Sequence, residues 1–349
     1  MYIRGIGIVF NRGRGIDILE RALKEGRVPP DLNSMAYHVP DNVLLKKAGK
    51  TKMRRADRFS RMSITAALDA VSDSNIDLNK PGSSPGLILA TTFGPHDTTF
   101  RYLDGILDYG HANVSPTVFS HSIHNAALSY ISIALNCHSN ILTVTHFIFS
   151  FHQALMLAES WIKQNQCKNV LVGCVDVCGN VMEDIAGHKL NISSQGKIKP
   201  FECSEKPSAL PGEGSVFFML SGDKGDKSYC KISSEVTDRL NIIEKKPDIC
   251  ILDADGMAGD ESGYNLPVFR QTKTAGYSPI FGSMMINPGF SAAAGSLMIK
   301  NQISYPSPVS DNPHNMKISS QTHLSEIYRI LCLRVLSNGQ TGVVSLTFN

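Results

Sequence analysis

Hydrophobic and polar positions along the chain fall into two alternating patterns. Short apolar runs rich in Val, Ile and Phe predict strands at residues 2–10, 86–92, 141–147, 169–177 and 214–220. Between them, apolar residues spaced three or four apart predict helices at residues 59–74, 99–109, 125–135 and 150–163. We expect the helix at 125–135 to be buried and the strand at 141–147 to be central. Strands alternating with helices predict an α/β layered fold.

A second round of the same pattern follows a turn rich in glycine and charge at residues 222–227. It predicts strands at residues 231–236, 248–254, 278–283 and 342–348 and an Ala-rich helix at 291–300. The two rounds share no residue repeat, so any duplication rests on element order alone. We therefore predict two units, an N-terminal half over residues 1–225 and a shorter C-terminal half over residues 226–349.

The composition excludes several classes of protein. The 349 residues are 42% hydrophobic and 19% charged with a formal net charge of +3, which is typical of a globular protein without a nucleic-acid groove. No apolar run reaches the roughly 18 residues of a membrane span. The first ten residues predict a strand rather than a signal peptide. Eight cysteines without a CxxC pair predict reduced thiols, no metal ribbon and a cytoplasmic protein.

Six motifs follow one another in a recognisable order. They are SPTVFSHSIHNAALSYISIALN at 115–136, ILTVTHFIFSFHQALMLAESWI at 141–162, NVLVGCVD at 169–176, KPF with LPGEG at 199–201 and 210–214, DADGMAGD at 253–260 and GSMMINPGFSAAAG at 282–295. In this order they resemble the β-ketoacyl synthase family. The resemblance implies a thiolase-like fold, in which two similar α/β halves form five α-β-α-β-α layers, and a dimer. It implies no cofactor.

The resemblance also assigns the reacting positions, and each is changed in this chain. The family uses a cysteine nucleophile at a helix N-terminus, two histidines and a lysine. The cysteine position falls on Ile148 and the lysine position on Met285. The first histidine falls on Asp255 and the second on Phe290. Ile148 has no nucleophilic group, so no acyl-enzyme can form there, and no catalytic residue is predicted.

A family member without its nucleophile resembles the chain-length factors, which pair with an active ketosynthase. We therefore expect a non-catalytic partner subunit of a ketosynthase in fatty acid, polyketide or aryl polyene biosynthesis. Val118, Phe119 and Ile148 are the predicted wall of a substrate tunnel. The predicted interface, across which strands of the family pair, is Thr143, Val144, Thr145, His146 and Phe147.

Two other functions remain open from the sequence. One is an active condensing or malonyl-decarboxylating enzyme with a relocated nucleophile such as Cys137. The other is a homodimeric acyl-binding scaffold without a ketosynthase partner. Labelling with a thiol-directed acyl reagent distinguishes the enzyme from both non-catalytic alternatives.

Two further patterns have a functional and a structural interpretation. The stretch from Lys46 to Arg55 carries six cations and is either a solvated loop or a docking patch for an acidic acyl carrier protein. Four histidines, at positions 121, 124, 146 and 152, lack a carboxylate or cysteine that would complete a ligand set. We therefore expect no metal site.

Overall fold

The computed structural model describes residues 1–30, 36–48, 51–52, 56–78, 80, 82–238 and 246–349. The helices in this part of the chain are α1 (Ile16–Glu25), α2 (Arg58–Ser74), α3 (His96–Tyr109), α4 (Pro116–His121), α5 (Ala126–Leu135), α6 (Ser150–Lys163), α7 (Asn180–Lys189), α8 (Ser278–Phe281) and α9 (Asn287–Asn301). The strands are β1 (Tyr2–Phe10), β2 (Gly13–Arg14), β3 (Lys47–Ala48), β4 (Thr51–Lys52), β5 (Gly86–Thr91), β6 (Ile141–Thr145), β7 (Asn169–Asp176), β8 (Asn191–Ile192), β9 (Ser208–Ala209), β10 (Gly214–Ser221), β11 (Lys231–Thr237), β12 (Ile249–Leu252), β13 (Lys273–Ala275), β14 (Ile303–Ser304), β15 (His323–Leu324), β16 (Arg329–Val335) and β17 (Thr341–Thr347).

The main sheet consists of two sections with the same internal order. One section runs β1-β10-β7-β5-β6, and the other runs β11-β17-β16-β12-β13. In each section the first two pairings are antiparallel and the last two are parallel. The sections meet where Tyr2 of β1 pairs with Lys231 of β11. This repeat of topology without a repeat of sequence gives the fold two similar halves; the division after residue 225 stays a prediction.

Two helices lie between the sheet sections and form the central layer. Helix α6 packs against β5 and β7 of one section and β11 of the other. Helix α9 is buried from residue 287 to 299 and packs against β16, β17 and β10. Helices α2 and α5 cover the outer face of the first section. Short 3-10 turns at Ser262–Tyr264 and Pro267–Arg270 contribute to the cover of the second, which completes the predicted five layers.

The glycines of β1 allow α2 to lie unusually close to the sheet. A Cβ atom on Gly5 would lie 2.3 Å from the carbonyl oxygen of Ala70, and one on Gly7 would lie 2.0 Å from that of Ala66. Both distances are far below van der Waals contact, so any side chain would push α2 away. The glycines in this apolar strand therefore set the distance between two layers.

Most predicted elements are present within one to four residues of their predicted bounds, and α6 matches its prediction at both ends. Two predictions are wrong. Residues 278–283 hold the short helix α8 instead of a strand; Pro279 lies in its first turn, and Gly282 ends it with φ 96°. The strand at 141–147 is not central, because β6 ends the sheet within the described residues. Helix α5 is buried on one face only. No described helix has the length and hydropathy to cross a membrane.

Candidate functional site

The turn between β6 and α6 holds Ile148 at the start of a helix. Ile148 is half-buried, while Phe149 and the first residues of α6 are buried. His146 precedes this turn, and its Nδ1 accepts hydrogen bonds from the backbone N–H of Ile148 at 3.1 Å and of Phe149 at 3.0 Å. Two amides just before this helix are therefore already bound by a side chain of the same chain and are not free for an anion.

Asp255 forms a buried ion pair with Arg334 of β16. Its two carboxylate oxygens lie 3.1 Å and 3.2 Å from Nη1 and Nη2 of the guanidinium, and both side chains are almost completely buried. Asp255 also accepts hydrogen bonds from the backbone N–H of Met284 at 3.1 Å and from Nδ2 of Asn287 at 2.7 Å. A carboxylate bound by this many donors of the same chain is held in place and is not free to act on a substrate. Arg334 was not predicted from the sequence.

Two further carboxyl groups lie beside this ion pair. Asp253 accepts a short hydrogen bond from the hydroxyl of Ser291, and Glu261 accepts one from the backbone N–H of Gly256 at 2.7 Å. Burial raises the pKa of Asp253 to about 7 and that of Glu261 to about 8. One guanidinium therefore faces three buried carboxyl groups, of which Glu261 is mainly protonated at neutral pH.

These raised values make the stability of the fold dependent on pH. The carboxyl of Glu261 ionises in the unfolded chain near its ordinary pKa of 4.5 but in the folded chain only near 8, so stability falls as the pH rises across that interval. We expect Glu261→Gln to remove much of this dependence on pH. The free energy of unfolding that it removes across the interval is on the order of a few kcal/mol, because one pKa unit corresponds to about 1.4 kcal/mol. Urea unfolding at several pH values measures it. Glu202→Gln, at a more exposed carboxyl, is the control and should keep the slope; an unchanged slope in Glu261→Gln would refute the assignment.

Met285 lines a small cavity together with three other methionines. The cavity measures about 20 Å³ and is lined by Phe93, Asp176, Val177, Cys178, Met182, Ala186, Pro211, Gly212, Met257, Ser283, Met284 and Met285. This volume holds about one water molecule and is too small for an acyl chain. We call it the methionine cavity. Its lining contains Met285 but not Ile148, Val118 or Phe119.

Phe290 fills the protein core instead of facing a reaction centre. Its ring centroid lies 5.2 Å from that of Phe281, and its ring edge lies close to Gly214. Phe290 is fully buried in the central layer. An aromatic ring in this environment supplies packing and has no group that can donate a proton.

His152 is the ionisable side chain of α6 that lies nearest in sequence to Ile148. It is fully buried, with its ring against Gly342 of β17 and 5.6 Å from the ring of Phe149. Burial, reinforced by the charge of Arg334, lowers the pKa of His152 to about 3, so the imidazole is neutral. Its side chain is part of the central layer between α6 and the second sheet section.

Cys137 lies far from the turn between β6 and α6 that holds Ile148. It precedes β6, whereas Ile148 follows the opposite end of that strand, and five strand residues span about 16 Å. The Cys137 thiol is buried and donates a hydrogen bond to the carbonyl oxygen of Pro85 at 3.0 Å. All eight cysteines are buried and free of disulfides. This placement argues against Cys137 as a relocated nucleophile.

An exposed apolar surface surrounds the edge strand β6. Most of the large exposed apolar side chains in the described chain belong to it: Phe100, Leu103, Leu107, Tyr109, Phe119, Ile123, Ile133, Ile141, Leu142, Phe147 and Met156. We call this set the β6 surface. It includes the predicted tunnel residue Phe119, which is 54% exposed, while Val118 is half-buried. Of the predicted interface residues, Thr145, His146 and Phe147 are exposed and Thr143 and Val144 are half-buried.

The remaining sequence predictions are placed as follows. Part of the basic stretch at 46–55 lies outside the described residues; Lys46 and Lys47 are exposed, and β3 pairs with β4 as a short hairpin. Nε2 of His121 lies 2.8 Å from the hydroxyl of Tyr130. Within the described ranges, no group of three or more His, Cys, Asp and Glu side chains could hold a metal ion.

Comparison with known proteins places this architecture. Residues 41–224 match the family model of the β-ketoacyl synthase N-terminal domain, which is more than half of the chain. The chain therefore belongs to the β-ketoacyl synthase family. No curated protein sequence matches it significantly.

Solved structures with the same fold cover the whole chain at low identity. "The ishigamide ketosynthase/chain length factor" has a TM-score of 0.83 at 15% identity and covers 100% of this chain and 98% of its own. A β-ketoacyl synthase from Burkholderia phymatum has a TM-score of 0.81 at 15% identity, with coverage of 100% and 99%. A type II PKS acyl-carrier protein in complex with its ketosynthase gives 0.79 at 12%, with coverage of 100% and 99%. These structures confirm the thiolase-like fold.

Proposed function

We propose that this chain is a non-catalytic subunit of the β-ketoacyl synthase family that pairs with an active ketosynthase, as a chain-length factor does. The observation that carries the proposal is the state of the four reacting positions. Ile148 offers no nucleophile, and Met285 and Phe290 are apolar. Asp255 is neutralised by Arg334 inside the protein. A site with these groups cannot form an acyl-enzyme or protonate an enolate.

The surroundings of these positions support the same conclusion. A site for acyl transfer needs free amides to stabilise an oxyanion. In the turn between β6 and α6, the amides of residues 148 and 149 are bound by His146. Loss of the nucleophile and of two free amides together favours a subunit that retains the fold without the chemistry.

The β6 surface supports the role of a partner. A strand at the edge of a sheet carries unpaired N–H and C=O groups, and proteins usually cover such an edge. Ile141 is 42% exposed and Leu142 46% exposed on β6, and Phe147 is 56% exposed just beyond its end. Apolar area of this kind marks a protein interface. We propose that a ketosynthase in polyketide, fatty acid or aryl polyene biosynthesis covers it and that Val118, Phe119 and Ile148 face the shared tunnel.

Two structural neighbours are assemblies of this type. One is a ketosynthase with its chain length factor, and another is a ketosynthase in complex with an acyl-carrier protein. We propose the ketosynthase as the direct partner and an acyl carrier protein as a ligand of the assembly. A homodimer through the same β6 surface is the alternative, and the mass of the purified assembly distinguishes the two.

Acyl labelling tests the absence of catalysis. The chain and its ketosynthase partner are incubated together with an acyl-CoA or a cerulenin-like reagent, and the intact mass of each subunit is measured. We expect one adduct on the ketosynthase and none on this chain, because its cysteines are buried. Ile148→Cys should add at most slow labelling, since His146 still binds the amides. Stoichiometric acylation of the unmodified chain would overturn the proposal.

A further inference from the structure

Helix α7 is the least firmly packed cover of the methionine cavity. Ala186 is the buried residue of this helix, and Ile185 is 40% exposed. Met182 and Ala186 lie four residues apart on one face, and both line the cavity. A helix that contributes few buried apolar contacts opens at a lower free-energy cost than the strands beneath it. The remaining walls of the cavity come from β7 and from segments around residues 211, 257 and 284.

The small cavity beneath α7 has a lining suited to apolar groups. Its four methionine side chains are flexible and polarisable, and they repack around apolar groups of different shape. Asp176 lies at the bottom with one carboxylate oxygen bound by the Thr91 hydroxyl at 2.7 Å. Among the described residues, the other oxygen has no hydrogen-bond donor. Movement of α7 would enlarge this space without disturbing the sheet.

A chain of polar contacts ties α7 to the rigid sheet through His38. Nε2 of His38 lies 3.0 Å from Oε1 of Glu183 on α7, and Nδ1 lies 3.5 Å from Oε1 of Glu213. Glu213 is fully buried and directly precedes β10. Its carboxylate accepts a hydrogen bond from the backbone N–H of Val39 at 2.9 Å. The imidazole therefore bridges helix α7 and a buried carboxylate.

The charged groups that face His38 give the bridge a defined pH dependence. They are Glu183 from α7, Glu213 from the start of β10 and Arg58 from α2. The hydrogen bond with Glu213 is the main cause that raises the pKa of His38. A protonated His38 binds both carboxylates, so the bridge is complete at low pH and weakens as the pH rises through this raised pKa.

We propose that α7 is a lid over the methionine cavity, latched by the His38–Glu183 ion pair, and that it opens with rising pH to admit the end of an apolar acyl chain. This inference rests on the proposed function, since an acyl chain is the ligand that a tunnel subunit meets. The His38–Glu183 ion pair determines the pH at which the cavity opens. The methionine side chains determine what length of acyl chain the cavity accepts.

Hydrogen exchange of the full chain, measured by mass spectrometry and corrected for intrinsic rates, tests the latch. We expect α7 amides to exchange about threefold faster in Glu183→Gln than in the wild type at low pH, as a partly exposed ion pair predicts. The wild type should approach the variant as the pH rises. Asp184→Asn is the matched control because Asp184 lies on the same helix, is 75% exposed and forms an ion pair with His188 of the next turn. Equal α7 exchange in the wild type and Glu183→Gln at every pH would overturn the proposal.

Binding of a fluorescent polyunsaturated fatty acid tests the ligand. We expect Glu183→Gln to bind it more tightly than the wild type at low pH and Met182→Trp, which fills the cavity, to weaken binding in both backgrounds. Equal affinity in all variants would overturn the cavity as the site. Assembly with the ketosynthase is followed in the same samples. Failure of the lid leaves that assembly intact, whereas failure of the proposed function removes it.

Discussion

Arg334→Met should lower the free energy of unfolding by about 3–5 kcal/mol, the usual cost of removing one partner from a buried ion pair. The substitution keeps most of the side-chain volume and removes the charge that faces Asp255, Asp253 and Glu261. Three buried carboxyl groups would then share no cation, so Asp255 must either stay charged in the interior or take up a proton. Urea unfolding, followed through the fluorescence of Trp161, measures the change.

Arg12→Met is the matched control for this variant. Arg12 also forms an ion pair, with Glu25, but the side chain of Glu25 is 50% exposed. A pair of this kind contributes at most about 1 kcal/mol. If Arg334→Met destabilised the protein no more than Arg12→Met, the buried ion pair would not stabilise the surroundings of Asp255 as we expect. Replacing Asp255 and Arg334 together should recover only part of the loss, because the backbone N–H of Met284 and one N–H of the Asn287 amide would lose their acceptor.

Leu142→Asp should weaken assembly with the ketosynthase by at least about 30-fold, the effect of losing a central interface residue worth about 2 kcal/mol. Leu142 is 46% exposed on β6, so the carboxylate is solvated in the free subunit and is buried only when a partner covers the strand. Size-exclusion chromatography and light scattering of the co-expressed subunits measure the loss.

Leu324→Asp provides the control with the same change of side chain. Leu324 is 81% exposed on β15, outside the β6 surface. We expect this variant to assemble like the wild type and both variants to unfold at similar urea concentrations. Normal assembly of Leu142→Asp, or equal loss in the two variants, would contradict the assignment of β6 as the interface.

The periodicity of apolar residues was sufficient to predict an α/β layered fold, and the motif resemblance supplied the thiolase-like arrangement of the layers. Helix α6 and strands β7 and β10 follow directly from the spacing of apolar residues. The segment at 278–283 could not be resolved in this way, since a run of six residues is compatible with a strand or a helical turn. In the folded protein this segment is buried and forms the short helix α8.

The exposure of β6 could not be read from composition. Residues 141–145 are apolar and β-branched, which is typical of a central strand, yet β6 ends the sheet. An interface that a partner covers has the same composition as a core that the chain covers itself. Burial by another subunit and burial within one subunit therefore look alike in a single sequence.

The buried ion pair was also beyond prediction from the sequence. Asp255 was assigned through its motif, but Arg334 lies 79 residues further along the chain, in a strand whose arginines obscure its apolar pattern. Its pairing depends on the register of β16 beside β12. His146 is similar: the sequence placed it in the interface, and only the geometry shows that it caps the start of α6.

Reconstitution of product synthesis tests whether this chain is a non-catalytic partner of a ketosynthase. A ketosynthase that retains Cys, His, His and Lys, encoded beside this chain, is expressed with and without it and supplied with acyl carrier protein and extender units. We expect the ketosynthase to be soluble and to make a product of defined length only when this chain is present. A ketosynthase that remains soluble and makes the same products without this chain would contradict it.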